Sequence, residues 1–442
     1  VARREYFKYD IQGFAEYYLA DYFTSELKQY HIEILLAENG IYEVPRGHGK
    51  STALLALILH ACLYGWKKYV VIASATATQA YGFSRRIKDE LETNERINED
   101  FGDLTGKKWT QSHFTCTNGF TCRAIGSGGS VRGIVEKNRR PDLIICDDLE
   151  DDEATQTPEL REKLWKWVTT ALFNVGVGKI VDRIIVGTPL HNDCVLRRLK
   201  KKHPERYNQW KAIAEDGALL WPEVYTQDIL DEIKYEIGSL AFAQEYQMEP
   251  MDDQTKPFKP EWFRYFDDSE TPTPDHWWRF MYVDPAIGQK KTSDWFVASI
   301  CAISPMGEPL EVRVLEQFKA KLSVAGQLAT IEQLTDKWQP MQVGIESNAY
   351  QDSLRQLSME RFAETRNWVS VVSVVSTTNK KVRIMKLSPR VETGRLKFRK
   401  GDPAQAELIT HMTEYPSVTH DDFEDSLEGV VAMAERTGRM TS

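Results

Sequence analysis

Nine residues constrain this chain more than any others: Val44-Pro45-Arg46-Gly47-His48-Gly49-Lys50-Ser51-Thr52. They follow a short apolar strand at 41–44 and open a helical stretch whose apolar part runs from Ala53 to Tyr64. A strand, a glycine turn and a helix in that order aim backbone N–H groups and a positive helix end at one point, which is a seat for phosphate. Lys50 is placed to reach the β- and γ-phosphates of ATP, and Ser51 to ligate Mg²⁺. Arg46, Gly47, Gly49 and Thr52 complete the nucleotide-binding loop. The loop departs from the pattern GxxxxGK[ST] at one place, where Val44 stands for the first glycine.

A second element fits the first. Leu143-Ile144-Ile145-Cys146 is an apolar strand that ends in Asp147-Asp148-Leu149-Glu150. Asp147 is the candidate to hold Mg²⁺ through its water shell. A carboxylate nearby must polarise the attacking water, because in-line phosphoryl transfer depends on positioning. Asp148 and Glu150 compete for that role, and the longer side chain of Glu150 favours it. Asp151, Asp152 and Glu153 read as a solvated loop. Gly187-Thr188-Pro189, at the end of the next strand, is either a γ-phosphate sensor or an ordinary turn. Gln29 and His31, on an amphipathic helix upstream, are either adenine contacts or surface polar residues.

Apolar runs alternate with helical patterns from about 41 to 190, which predicts an α/β domain with a largely parallel, ASCE-like P-loop NTPase sheet. Asn118-Gly119 signals a hairpin before 120–125. Polar, proline-bearing sequence between 248 and 275 marks a boundary, giving an ATPase domain over 1–250 and a second domain over 251–442. The second α/β pattern has strands near 280–284, 295–303, 310–317, 342–346 and 369–375. Its helices lie near 323–338, 350–363 and 421–436.

This second pattern places Asp284 at the end of its first strand, Glu346 at the end of a later one, and Asp421, Asp422 and Asp425 at the start of the last helix. Acids on strand, strand and helix start form the skeleton of an RNase H-like nuclease. Two Mg²⁺ or Mn²⁺ ions flanking a scissile phosphate require hard oxygen ligands of this kind. Asp422 and Asp425, three apart, share a helix face. Asp421 competes with them and is also a candidate helix cap. Asp294, before the second strand, is a weaker candidate. Asp284, Glu346 and Asp422 are the expected catalytic set.

Composition sets outer limits. A net charge of −9 argues against a passive nucleic-acid coat, which would be basic. Local basic runs at 197–202, 380–383 and 395–400 leave room for DNA contacts or a solvated surface. No apolar stretch reaches the ~18 residues of a membrane span. The polar N-terminus carries no secretory signal. The six cysteines include no CxxC pair, so a zinc site is not expected and the thiols read as reduced, in a cytoplasm.

The order of these features resembles the large terminase subunit of tailed bacteriophages. The matching stretches are 45–51, 147–150, 187–189, Asp284, Glu346 and 420–422, with the glycine-rich loop at 126–133. The resemblance implies a homo-oligomeric ring, usually a pentamer, on the portal protein of the procapsid. Such a ring pumps double-stranded DNA inward and cuts concatemers, guided by a small terminase subunit. It implies a virus-encoded protein of the host cytoplasm, absent from the mature virion. It also implies an arginine donated to the neighbouring subunit's ATP, for which Arg139 is the first candidate and Arg140 the second. A helicase–nuclease or an ATP-regulated nuclease of DNA repair is the alternative. Residues 190–250 are too few for a second motor domain.

Overall fold

The computed structural model describes residues 2–131, 133–136, 138–176, 181–252, 255–286, 295–305, 310–346, 351–364, 369–375, 379–417 and 422–436. The chain divides into two compact units. One comprises residues 1–234 and 240–252, the other 235–239 and 253–442.

In the first unit, α1 (Ala2–Phe7), α2 (Ile11–Tyr18) and α3 (Gln29–Leu35) precede β1 (Gly40–Glu43), the phosphate loop and α4 (Lys50–Tyr64). Then come β2 (Tyr69–Ser74), α5 (Ala77–Thr93), α6 (Glu95–Phe101), β3 (His113–Thr115), β4 (Thr121–Gly126) and β5 (Leu143–Asp147). The unit continues through α7 (Asp152–Thr155), α8 (Pro158–Thr170), β6 (Asp182–Gly187), α9 (Val195–Lys202), β7 (Tyr207–Gln209) and α10 (Gln227–Gln247). The seven strands lie in the order β3-β4-β2-β5-β6-β1-β7. Every pair is parallel except β3–β4, the hairpin at Asn118-Gly119.

Alternation along β2 shows how the sheet is sandwiched. Val70 and Ile72 point into a core with α2, α3 and α4, whereas Tyr69, Val71 and Ala73 point into a second core with α8 and α9. A parallel sheet covered on both faces needs such unbroken apolar strands. Helix α4 is buried almost all round, from Ala53 to Leu63, which is why it is apolar on every side. Parallel strands deliver their carboxyl ends to one edge, so the ends of β1, β5 and β6 converge there.

The second unit contains β8 (Arg264–Phe266), β9 (Trp278–Asp284), β10 (Phe296–Ile303), β11 (Val312–Ala320), α11 (Val324–Trp338), β12 (Gln342–Glu346) and α12 (Gln351–Glu364). After these come β13 (Ser370–Val374), α13 (Lys380–Met385), α14 (Ser388–Glu392), β14 (Leu396–Arg399), α15 (Pro403–Glu414) and α16 (Asp422–Arg436). The sheet order is β13-β12-β9-β10-β11-β14-β8, with β9, β10 and β11 antiparallel and the remaining pairs parallel. The basic run at 395–400 contains β14. Leu396 and Phe398 are buried, while Lys397 pairs with Glu311 at 2.6 Å and Arg399 with Asp268 at 3.3 Å. Period-two alternation, not a free basic patch, governs this run.

Helix α16 lies across β9 and β10. The hydroxyl of Ser426 is 2.8 Å from that of Ser299 on β10. The buried ring of Tyr282 fills the space under Gly429, and a Cβ added there would stand 2.6 Å from the ring. The missing side chain lets the helix approach closely, and Asp425 lies one turn before Gly429. Gly429→Val is therefore expected to lift α16 and to destabilise the second unit by ~1–3 kcal/mol, the usual cost of overpacking. Chemical denaturation followed by tryptophan fluorescence checks this; an unchanged midpoint contradicts the packing described.

Candidate functional sites

The phosphate loop is shaped by two glycines in the left-handed region, Gly47 (φ 74°) and Gly49 (φ 71°). Side chains there would also collide. A Cβ on Gly47 would meet the Tyr225 hydroxyl at 2.1 Å, and one on Gly49 would meet His31 Nε2 at 2.7 Å. His48 between them is buried and stacks on Tyr225, with ring centroids 4.3 Å apart and planes 6° from parallel. Its carbonyl accepts a hydrogen bond from the Tyr30 hydroxyl and lies 3.0 Å from His31 Nε2. Burial holds His31 and His48 at about 4, so both rings stay neutral beside the loop. Val44, where the pattern has glycine, is fully buried and donates its N–H to Gly187 O. It serves as the last packed residue of the strand, upstream of the turn.

Lys50 Nζ reaches the Thr188 hydroxyl at 3.0 Å and Asp148 Oδ2 at 3.2 Å. Ser51 donates to Asp147 Oδ1 at 3.0 Å. Five of the expected groups thus meet at the carboxyl ends of β5 and β6 and the start of α4. Burial and the neighbouring Asp148 push Asp147 up to about 6. Uncompensated negative charge of that kind suits a site that receives a cation. The Thr188 hydroxyl bridges Lys50 and the Val44 carbonyl, so Gly187-Thr188-Pro189 belongs to the site. The half-buried Thr52 follows Ser51 on the first turn of α4. Arg46 is exposed, with Glu245 4.0 Å away.

The two acids that compete to polarise water are separated by the fold. Asp148 has φ 45°, rare for a residue other than glycine, and its backbone is pinned to Val186 O and Ala75 N. That strained turn lays its carboxylate over Gly187 and beside Lys50. Glu150, the favoured candidate, turns elsewhere. Both of its oxygens accept from Val195 N at the start of α9, at 2.9 and 3.0 Å. A carboxylate is favoured at a helix N-terminus, and a longer side chain reaches it more easily than the phosphate loop. Burial raises Glu150 to about 7.

Gln29 is exposed and bonds Glu33 at 3.4 Å; the neighbouring His31 is the one set against the loop. Arg139 and Arg140 are exposed. Arg139 bridges to Glu136 just before β5, near the Asn118-Gly119 turn, at the amino ends of the parallel strands. It therefore lies at the opposite edge of the sheet from its own phosphate loop. Sequence reasoning passed over Trp221 and Tyr225, which lie against His31 and His48. Their only signal is aromatic density between 207 and 225.

In the second unit, carboxylate oxygens of Asp284, Glu346 and Asp425 lie within 4.8 Å of one another. Strands β9 and β12 run side by side and end together, while α16 brings Asp425 over them. Burial first, then Glu346, Asp425 and Asp422, push Asp284 well above the ordinary carboxylate range. Burial lifts Asp425 to about 6 against the pull of Arg383 and Lys380. Three hard oxygen donors in one half-buried pocket fit divalent Mg²⁺ or Mn²⁺. Asp422 stands beside the cluster, 3.3 Å from Lys380 Nζ, so the helix supplies Asp425 to the triad in its place. Asp421 and Asp294 lie outside the described residues. The run at 380–383 is the first part of α13, and its spacing of three places Lys380 and Arg383 on one face toward the acids.

The contrast between Asp148 and Glu150 is testable. A carboxyl raised to about 7 carries its extra proton in the folded state, so this term weakens stability as pH rises from about 4.5 through 7. Glu150→Gln keeps an acceptor for Val195 N and is expected to flatten the pH dependence of unfolding over that window. It should cost less than ~10-fold in ATP turnover, whereas Asp148→Asn should cost ~100-fold or more, as for a lost transition-state group. The reverse ranking of turnover would return the role to Glu150.

Residues 281–434 match the family model of the terminase RNase H-like domain. No curated protein matches the chain by sequence. Among solved structures, the large terminase of a thermophilic bacteriophage superimposes with a TM-score of 0.56 at 10% identity, over 92% of this chain and 99% of that one. Another crystal form of the same terminase, in complex with ADP, gives 0.54 at 9% identity, over 91% and 98%. Residues 281–434 thus resemble a terminase RNase H-like domain, and the chain as a whole is similar in fold to a bacteriophage large terminase.

Proposed function

We propose that this protein is the motor and nuclease of viral genome packaging. In this reading it hydrolyses ATP in the first unit, translocates double-stranded DNA into a procapsid, and cuts concatemeric DNA in the second. The observation that carries the reading is the presence of two chemically different clusters in one chain. One joins Lys50, Ser51, Asp147 and Thr188 around a phosphate loop; the other joins Asp284, Glu346 and Asp425.

Bound ATP and Mg²⁺ would supply the phosphoryl group and the charge that orients it. The chain would then do the positioning. Lys50, now beside Asp148, would bind the phosphates, Ser51 and Asp147 would hold the ion, and Asp148 would orient the attacking water. Thr188 is placed to register whether the terminal phosphate is present. At the nuclease site, divalent ions would activate water and stabilise the leaving oxygen. Asp284, Glu346 and Asp425 would hold them, and α16 keeps the third ligand in register through Gly429 and Ser426.

Portal protein, small terminase subunit and an oligomeric ring are the partners this reading requires. Arg139 is exposed and lies at the sheet edge opposite its own phosphate loop, so any action on ATP would be in trans. An arginine supplied that way is worth ~10³-fold or more in rate.

Three experiments test the reading. Lys50→Ala should abolish ATP hydrolysis and leave EDTA-sensitive DNA cleavage, while Asp284→Ala should do the opposite. Loss of both activities in either variant would contradict two independent sites. Packaging of DNA into purified procapsids with ATP then separates a motor from a repair nuclease. Arg139→Ala and Lys50→Ala subunits, each inactive alone, should recover part of the ATPase activity when mixed. No recovery in rings shown to be mixed would remove Arg139 as the donated arginine.

A further inference from the structure

The acid cluster of the second unit has a cation built into it. Arg383, on α13, has a side chain only 11% exposed. Its Nη2 donates to Asp425 Oδ2 at 3.1 Å and its Nη1 stands 2.7 Å from Oδ1, so the guanidinium pairs with that carboxylate. The same guanidinium lies 4.0 Å from Glu346 and 3.8 Å from Glu428. Two of the three acids that fit a metal are thus already engaged by one side chain. Its Nε is buried without a hydrogen-bond partner among the described residues. A guanidinium has five N–H donors, and a seat shaped for it would satisfy them all. This seat offers charge more than geometry.

We propose that Arg383 competes with divalent ions for the acid cluster: it supplies a compensating charge beside Asp425 and is displaced toward the DNA strand when the ions bind. The inference rests on reading the cluster as a metal-dependent nuclease site. Carboxylates this close cannot all ionise without an opposing charge. One guanidinium supplies a single positive charge, while two divalent ions supply up to four. With the ions in place, Arg383 becomes a like charge beside them and must move. Its planar fork is then free for a phosphodiester, a group that arginine binds through two parallel hydrogen bonds. The arginine thus holds the helix bearing Asp425 in position without metal and becomes a phosphate contact with it.

The test measures Mn²⁺ binding to the full chain by calorimetry, with thermal unfolding in EDTA and in Mn²⁺. Wild type is compared with Arg383→Gln and Arg383→Lys. Removing a competitor should tighten Mn²⁺ binding roughly fivefold or more in Arg383→Gln, a usual size for such coupling. It should also lower the unfolding midpoint in EDTA and enlarge the rise that Mn²⁺ gives. Arg383→Lys keeps a charge but loses the fork, and should fall between the two. Unchanged or weaker Mn²⁺ binding in Arg383→Gln overturns the proposal. If that variant folds only with Mn²⁺, the proposal is supported. If it folds in neither condition, Arg383→Lys decides, and an affinity no tighter than wild type overturns the proposal. Failure of the wild type itself to bind Mn²⁺ would overturn the metal reading of the cluster, and this inference with it.

Discussion

Like charges forced together are the constraint on which both sites depend. In the second unit, Asp284, Glu346 and Asp425 bring oxygens within 4.8 Å of one another, half-buried, where water screens them poorly. Nothing in strand propensity favours this. It is held because β9 and β12 are hydrogen-bonded neighbours that end side by side, and because α16 is drawn onto them by Gly429 and Tyr282. Packing elsewhere fixes the backbone, and the backbone fixes the charges. The first unit repeats the device with Asp147 and Asp148, where a left-handed Asp148 keeps two adjacent carboxylates near one lysine. In each case a basic side chain offsets part of the repulsion, Lys50 in one and Arg383 in the other.

This arrangement explains why the sequence showed the two clusters more clearly than it showed who does what within them. The phosphate loop, the apolar strand before Asp147, and the acids at strand ends are local patterns, and local patterns are legible. Side-chain length alone favours Glu150 over Asp148. Where the two carboxylates lie depends on two facts with no local signature: the φ of Asp148, and the start of α9 lying where Glu150 can reach it. Likewise, helical spacing placed Asp422 and Asp425 on one face but did not say which would point inward. Burial decided that, and burial is a property of how α16 crosses the sheet.

The basic runs show the same limit from the other side. The stretches at 197–202, 380–383 and 395–400 look alike in composition. In the fold, one is an amphipathic helix whose Arg197 reaches the buried Glu43, one carries the counter-charges of the acid cluster, and one alternates as an interior-facing strand. Periodicity separates the last from the others once it is counted, since Leu396 and Phe398 are two apart. The first two differ only in what the chain brings to them from ~45 to 150 residues away, which no window of sequence contains.

Helix α9 shows what Glu150 contributes if it is not the base. Its N-terminus is held by Glu150, two residues past Asp148, and its Arg197 pairs at 3.1 Å with Glu43, the last residue of β1. Glu43 is fully buried, and burial raises it above the ordinary carboxylate range even with Arg197 beside it. A buried pair of this kind adds little net stability, but removing one partner strands the other. The strand that ends in the phosphate loop and the strand that ends in Asp147 are therefore tied through one short helix as well as through the sheet. Movement of either strand end changes the environment of a buried charge at the other. The acids around this sheet thus divide into those that face the phosphate loop and those that fix the strands presenting it.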